Sequence, residues 1–366
     1  MKIAMFGVGG IGRTICHLLK NKLDHLDIEI IAFDISLGCP AGVEVDEYHY
    51  FDADPSYSTN KRSPLQDRGF DVVFSALPYF CNTAVANLAT AADIPYFDLG
   101  GSVPVSKEIN KQAEDRKATV FTDLGLAPGW VNIMAEKAFL DLSHVDNDIY
   151  TSEVTTIKMR CGGLPLDRYM PCEDPFGYTG TWSSEGLYNE YIDDCQVLEY
   201  GKIITEPGML GLEEVSVGGT LGHIPLEAFY TSGGASHTIE LMKERGVRNC
   251  SYKTLRYPGH RDLVYYFTKI KNYTAKQLSE LFTPHPEGDI IVLDVWAQGD
   301  GLVYHRTHEI HCDPNGTGYS AMQKATASGF IAAALSSNRG QRRPLTYADV
   351  DICQFDQVMD KLEVLK

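Results

Sequence analysis

The chain has 366 residues, too many for one ordinary domain and enough for two. Hydrophobic residues make up 44% and charged residues 22%, so a core can form without disulfides or metals. Lys and Arg total 32 against 49 Asp and Glu, a formal charge of −17, which argues against a nucleic-acid backbone or an anionic membrane as partner.

Met1 to Gly7 is a short apolar run that stops at glycines, which is not the pattern of a signal peptide. No apolar stretch approaches the ~18–20 residues needed to span a bilayer. Residues 11–20 carry apolar positions at helical spacing, and residues 28–33 read as a strand followed by Asp34. Residues 71–77 form a further strand ending at Pro78, and an Ala-rich helical segment runs from Thr83 to Ala92. Two more strand-like runs follow at Pro95–Leu99 and Ala118–Asp123. Strands alternating with helices predict βαβ units and a doubly wound parallel sheet over residues 1–126. Residues 35–69 break the pattern: Pro, Gly, Asp, Ser and Tyr replace a second amphipathic helix, which predicts a shortened crossover plus a loop.

From about residue 150 the pattern changes. Strands are expected at Glu153–Met159, Gln196–Tyr200, Glu214–Val217 and Ile290–Ala297. Gln298-Gly299-Asp300-Gly301 then turns into Leu302–His311. An antiparallel sheet with helices is the expected α+β arrangement for residues 127–319, and residues 320–337 read as a helix. The nine cysteines are scattered and form no CxxC pair, which predicts reduced thiols and a cytoplasmic location.

Gly7-Val8-Gly9-Gly10-Ile11-Gly12 matches GxGxxG, follows a strand and opens a helix. Gly7 permits a tight turn, Gly9 lets backbone approach a pyrophosphate, and Gly12 lets helix and strand pack closely. The N–H groups of Gly10 and Ile11 sit at the positive end of the helix dipole. Asp34 ends the next strand at about the spacing of a ribose-binding carboxylate, ~20 residues on. It points to NAD rather than NADP; its other reading is a strand-end turn residue. Ala76, Leu77 and Pro78, then Asp98 and Gly100, then Asp123 and Gly125 end successive strands where a cofactor would lie, or form ordinary loops. His305, His308 and His311 suggest no metal site, because on a strand His305 and His311 lie ~20 Å apart.

Several segments together carry a resemblance: Asp123-Leu124-Gly125-Leu126-Ala127-Pro128-Gly129 with Asn132, Cys161-Gly162-Gly163-Leu164-Pro165, and Trp182-Ser183-Ser184-Glu185-Gly186. Pro225 to Gly234 and Lys253 to His260 complete the set. In these the chain resembles the saccharopine dehydrogenase superfamily, and within it the lysine 6-dehydrogenase branch, since Ala127 and His260 stand where the saccharopine-forming branch has an aspartate and an aromatic residue. Cys161 resembles the saccharopine side. The resemblance implies a Rossmann domain completed by C-terminal helices (residues 320–366). It also implies an α+β domain that binds an amino-acid substrate and pairs two or more copies of the chain.

Oxidising an amine by hydride transfer to a nicotinamide needs the ammonium deprotonated first. Arg256 could pair with a substrate carboxylate or form an ion pair. His260 could be the base or a structural histidine, with His223 a weaker candidate. Thr231 and Ser232 could hydrogen-bond substrate or shape a turn. Asp123 could attract an amine cation, and Asn132 belongs to the same motif. Cys161 and Trp182 could line a pocket or fill the core. The expected activity is NAD-dependent deamination of a basic amino acid, most simply L-lysine. The rivals are a saccharopine-type or carboxylated-polyamine dehydrogenase, with Arg160 and Arg168 as further cationic ligands, and a catalytically silent NAD-binding sensor.

Overall fold

A computed structural model describes residues 1–54, 63–143, 145–146, 149–150, 154–166, 174–180, 182–283, 288–313 and 317–365. Arg168 and the start of the strand expected from Glu153 lie outside the described residues. The chain divides into two units, residues 1–130 with 323–364 and residues 131–322.

The first unit begins β1 (Lys2–Phe6), α1 (Gly10–Lys22), β2 (Glu29–Asp34), β3 (Glu47–Tyr50) and β4 (Val72–Ser75). It continues α2 (Tyr79–Ala91), β5 (Tyr96–Asp98), α3 (Val103–Arg116) and β6 (Val120–Phe121). All six strands are parallel, in the order β3-β2-β1-β4-β5-β6. That order is the doubly wound Rossmann sheet, whose switch point lies between β1 and β4. Ile3 to Phe6 and Ile30 to Phe33 are buried without alternation, as strands covered on both faces must be. Helix α1 buries Ile15, Cys16, Leu18 and Leu19, and Lys20 and Lys22 in its last turn suit the negative end of its dipole.

The irregular region departs from expectation at one point. Residues 35–46 cross from β2 to β3 without a helix, but residues 47–50 are a strand rather than loop. Glu47-Tyr48-His49-Tyr50 is a half-exposed edge strand with no apolar alternation, so its sequence carries no strand signal. Asp46 fixes the crossover: its carboxylate accepts from the Ile30 N–H at 2.7 Å and from Lys20 Nζ at 2.5 Å. Helix α2 starts at Tyr79, earlier than the Ala-rich pattern suggests, with Pro78 at its N-cap.

The second unit takes in most of α4 (Trp130–Leu142), then β7 (Val145–Asp146) and β8 (Ile149–Tyr150), a small antiparallel ribbon. β9 (Val154–Pro165), α5 (Ser184–Ile192), β10 (Cys195–Glu199), β11 (Lys202–Glu206) and β12 (Glu213–Val215) follow. Next come β13 (Leu226–Tyr230), α6 (Thr238–Glu244), β14 (Asn249–Arg256), α7 (His260–Tyr265) and α8 (Ala275–Ser279). β15 (Asp289–Gly299) and β16 (Leu302–His311) close the sheet. Its main path is β11-β10-β14-β9-β15-β16, with β13 on β14 and β12 on β13. The sheet is mixed rather than antiparallel, because β9 and β14 run parallel.

Side chains alternate between the faces of this sheet. One face carries Phe229, which packs with Phe176, Tyr178, Leu187, Tyr191, Val264 and Leu278 from α5, α7, α8 and the loop before α5. The other carries Leu164, Leu226, Ala228, Leu255 and Val292 beneath Val217 and Leu221. Helices α9 (Ala321–Ser336) and α10 (Ile352–Leu362) end the chain. Within the first unit, Phe330 meets the Phe74 ring at 4.9 Å and the Leu345 N–H donates to Val120 O at 2.8 Å. Among the described residues no helix is long and apolar enough to cross a membrane.

Candidate active site

The first unit places Gly7, Gly9, Gly10, Ile11, Gly12 and Asp34 together where β1 feeds α1. Gly7 has φ +83, and a Cβ there would stand 2.9 Å from Ala76 O. At Gly12 a Cβ would stand 2.0 Å from Gly7 O. At Gly9 it would meet nothing within 4 Å. The loop is therefore packed tight on both sides and open in the middle, at the N-terminus of α1 whose first N–H groups lack intrahelical partners. A dinucleotide pyrophosphate fits that cradle.

Asp34 Oδ2 accepts from the Val8 N–H and Oδ1 from the Ser36 N–H, both at 2.9 Å. Burial opposes its ionisation, but these N–H donors outweigh burial and hold the carboxyl below the usual range. Ala76, Leu77 and Pro78 form the turn after β4 that abuts Gly7.

Asp98 and Asp123, at the ends of β5 and β6, are buried rather than open to a cleft. Asp98 Oδ1 accepts from the N–H of Gly100 at 2.7 Å and of Asp123 at 3.2 Å. Burial, then the neighbouring Asp123, pushes the Asp98 carboxyl up to about 7. Asp123 accepts from Ser106 Oγ at 2.7 Å, and its carbonyl accepts from Tyr347 Oη at 2.8 Å. Gly100, at φ +77, leaves room for the Asp123 carboxylate, which a Cβ would meet at 2.3 Å. Gly125 O accepts from the Trp130 N–H at 3.1 Å. These groups brace the strand-end loops.

In the second unit, Cys161, Thr254 and Arg256 share the sheet face that bears Phe229, by the β9–β14 and β13–β14 registers. Arg256 is 3% exposed. Its Nε donates to Tyr191 Oη at 3.1 Å and its Nη1 to Leu255 O at 2.8 Å, while the guanidinium lies 4.6 Å from the Tyr178 ring centre. His260 Nδ1 donates to Phe176 O at 2.8 Å, so its Nε2 is the acceptor of the Tyr191 hydroxyl at 2.9 Å. Burial first, then Arg256, pushes the imidazole down to about 3. His260 is thus a neutral, fully buried anchor, in a position unsuited to the general base that the sequence suggested. Glu227, opposite Arg256 in the register, turns its carboxylate to the Gly259 and Arg261 N–H groups and fixes the start of α7.

The other candidates divide between this face and the rest of the unit. Thr231 is 3% exposed and its hydroxyl has no partner. The Ser232 N–H donates to Glu190 O at 2.9 Å. Cys161 is buried, and burial raises its thiol to about 12. Trp182 lies a layer further out, donating from Nε1 to Tyr178 Oη at 3.2 Å. Asn132 Nδ2 donates to Gly234 O, Ala235 O and Thr238 Oγ1, so its amide holds the turn after Ser232. His223 is exposed on the segment covering the opposite sheet face, away from Arg256. Arg160 is also on that opposite face, paired with Asp294 at 2.8 Å and Glu213 at 3.2 Å. His305 joins the same Asp294 at 2.7 Å.

Sequence reasoning missed Tyr178, Tyr191 and Glu190. Glu190 follows Leu187 by three residues, so helical spacing puts its carboxylate beside the buried side of α5. An acidic residue with no basic partner on that side was the available signal.

Two family profiles match nearly end to end. The one described as saccharopine dehydrogenase NADP binding domain covers residues 3–122, and the saccharopine dehydrogenase C-terminal domain covers 125–362. The chain belongs to the saccharopine dehydrogenase family. Among curated members, bovine (Bos taurus) mitochondrial alpha-aminoadipic semialdehyde synthase is 26% identical over 202 residues, 55% of this chain and 21% of that protein. Saccharopine dehydrogenase [NADP(+), L-glutamate-forming] of Saccharomyces cerevisiae is 25% identical over 135 residues, 37% of this chain and 29% of that one. The chain thus spans about a fifth to a third of these relatives' length. The solved apo saccharopine dehydrogenase (L-Glu forming) from Saccharomyces cerevisiae shares the fold with a TM-score of 0.71, over 99% of this chain and 97% of that chain at 16% identity.

Proposed function

We propose that this member of the family is a nicotinamide-dependent dehydrogenase that oxidises the terminal amine of a basic amino acid, most simply L-lysine. The observation that carries this reading is Arg256, the one buried cation among the described residues of β9 and β14, on the sheet face bearing Cys161 and Thr254. Strands β9 and β14 hold four Lys or Arg residues among those described: Lys158, Arg160, Lys253 and Arg256. Lys253 pairs in register with Arg160, so both take the opposite face, and Lys158 shares it by alternation. One guanidinium suits one α-carboxylate. A saccharopine-type substrate, which the relatives' names favour, brings two more carboxylates, and Arg160 is already committed to Asp294 and Glu213.

The cofactor in this reading is NAD. Gly9, Gly10 and Ile11 would hold the pyrophosphate and Asp34 the adenosine ribose. When bound, the nicotinamide supplies the hydride acceptor. Residues 34–54 contain no Lys or Arg but include Asp34, Glu44, Asp46, Glu47, Asp52 and Asp54, a poor setting for a 2′-phosphate. The family profile's description says NADP, so Asp34 makes the choice testable. Asp34→Ser should weaken NAD about 10-fold or more and leave NADP equal or improved; equal loss of both would remove the ribose role.

The direct test is absorbance of reduced nicotinamide with lysine, ornithine, saccharopine and simple diamines at mildly alkaline pH. Turnover of lysine with NAD supports the reading. Turnover of saccharopine alone moves the protein to the secondary-amine reaction. Cofactor binding without any turnover makes it a silent sensor.

A further inference from the structure

Resting on that reading, we propose that the Glu190 carboxylate takes the ammonium proton of the bound amine. Three polar groups of the second unit stand here without hydrogen-bond partners in the protein. They are the Glu190 carboxylate, the Thr231 hydroxyl and Arg256 Nη2. Glu190 is half-buried on α5, and its backbone carbonyl holds the Ser232 N–H at 2.9 Å, which ties α5 to the end of β13 beside Thr231. Arg256 is within electrostatic reach of the Glu190 carboxylate without a direct bond to it. A cation and an anion so placed suit a zwitterionic chain, with its carboxylate at Arg256 and its ammonium at Glu190.

The surroundings single out this group. Within electrostatic reach of Glu190 lie Cys161 of β9, Cys195 of β10, Tyr252 and Arg256 of β14, and Tyr191 of its own helix. Burial raises both thiols to about 12 and pushes both phenols above their ordinary value. Arg256 stays charged, and His260, behind Tyr191, stays neutral. Removal from water pushes Glu190 up to about 8, with Arg256 acting against the rise. Of this cluster only Glu190 changes charge in the range where an amine dehydrogenase works.

The step balances. Glu190 accepts one N–H proton and becomes the neutral acid. The electron pair left on nitrogen forms the C=N bond as the adjacent C–H hydride leaves to the oxidised nicotinamide dinucleotide. The products are the iminium ion, which water hydrolyses, and the reduced dinucleotide.

The test is the pH profile of kcat/KM for the wild type, Glu190→Gln and Glu190→Asp, with melting temperatures and NAD binding measured alongside. The wild type should rise with pH through about 8. Glu190→Gln should fold and bind NAD, lose about 100-fold or more in rate, and lose that limb. Glu190→Asp should restore part of the rate with a displaced limb. A folded Glu190→Gln that keeps the limb and most of the rate overturns Glu190 while the dehydrogenase reading stands. A wild type that turns over no amine overturns both.

Discussion

The two units prepare their chemistry in opposite ways. In the first, the groups proposed to hold the cofactor are backbone: N–H donors at the start of α1, in a loop with four glycines within six residues. Only Asp34, one strand away, contributes a side chain. In the second, the groups are side chains on separate elements. Arg256 ends β14, His260 starts α7, Tyr191 and Glu190 lie on α5, and Thr231 follows β13. A backbone site is fixed by local conformation, whereas a side-chain site is fixed by long-range packing. The first should therefore fail at a single atom, and the second should fail as a network.

The largest effect expected from that contrast is at Gly12. A Cβ there meets Gly7 O at 2.0 Å, so Gly12→Val must push β1 from α1, costing about 1–3 kcal/mol or more and abolishing cofactor binding. Gly9→Ala is the control, since its Cβ has open space and its φ of −67 suits alanine. It should keep the wild-type melting temperature and lose cofactor affinity about 10-fold or more. Calorimetry with cofactor titration checks both. A stable, cofactor-binding Gly12→Val would break the account of the loop.

Next in size is Arg256. Arg256→Ala should raise KM for a carboxylate-bearing substrate by about 100-fold, the scale for losing a buried charge partner, and leave the cofactor dissociation constant unchanged. It should also lower the melting temperature, because Tyr178 and Tyr191 lose the guanidinium packed against them. An unchanged KM would remove Arg256 from the carboxylate role and leave it as scaffold.

The same contrast explains what could be read from the sequence. GxGxxG and Asp34 announce themselves because glycine is demanded where backbone must approach backbone, and that demand is local. The doubly wound sheet was legible because its buried strands are continuous apolar runs. Strand β3 was not, because a half-exposed edge strand needs no apolar pattern. The parallel pairing of β9 with β14 joins segments almost a hundred residues apart, which no periodicity reports. Arg256 and His260 stood out as a pair four residues apart, but their roles depended on Tyr191. That hydroxyl accepts from one and donates to the other, a relation visible only once α5 is packed on the sheet. Asp98 shows the limit from the other side. A strand-end aspartate reads as cofactor-lining, yet its carboxyl faces inward onto the N–H groups of Gly100 and Asp123.

The smallest effects are in the pH dependence of stability, where His260 of the second unit and Asp98 of the first should slope in opposite directions. His260 is held neutral when folded, with its pKa pushed down to about 3 from an unfolded value near 6.5. The unfolded chain therefore binds this proton first, and stability is lost as pH falls from about 6.5 towards 3. Asp98 is held protonated when folded, at about 7 against 3.8 for the ordinary group. Here the unfolded chain releases its proton first, so stability is lost as pH rises from about 4 towards 7. Each slope has a ceiling of about 1.4 kcal/mol per pH unit. Asp98→Asn keeps an acceptor for both N–H donors and removes the second slope. Its melting temperature should gain most on the wild type at pH 7–8 and least near pH 4. His260→Gln should do the reverse, costing stability at pH 7 and flattening the acid limb. A gain for Asp98→Asn that grows as pH falls would mean that Asp98 is ionised in the fold, and the brace between β5 and β6 would then be a charged one.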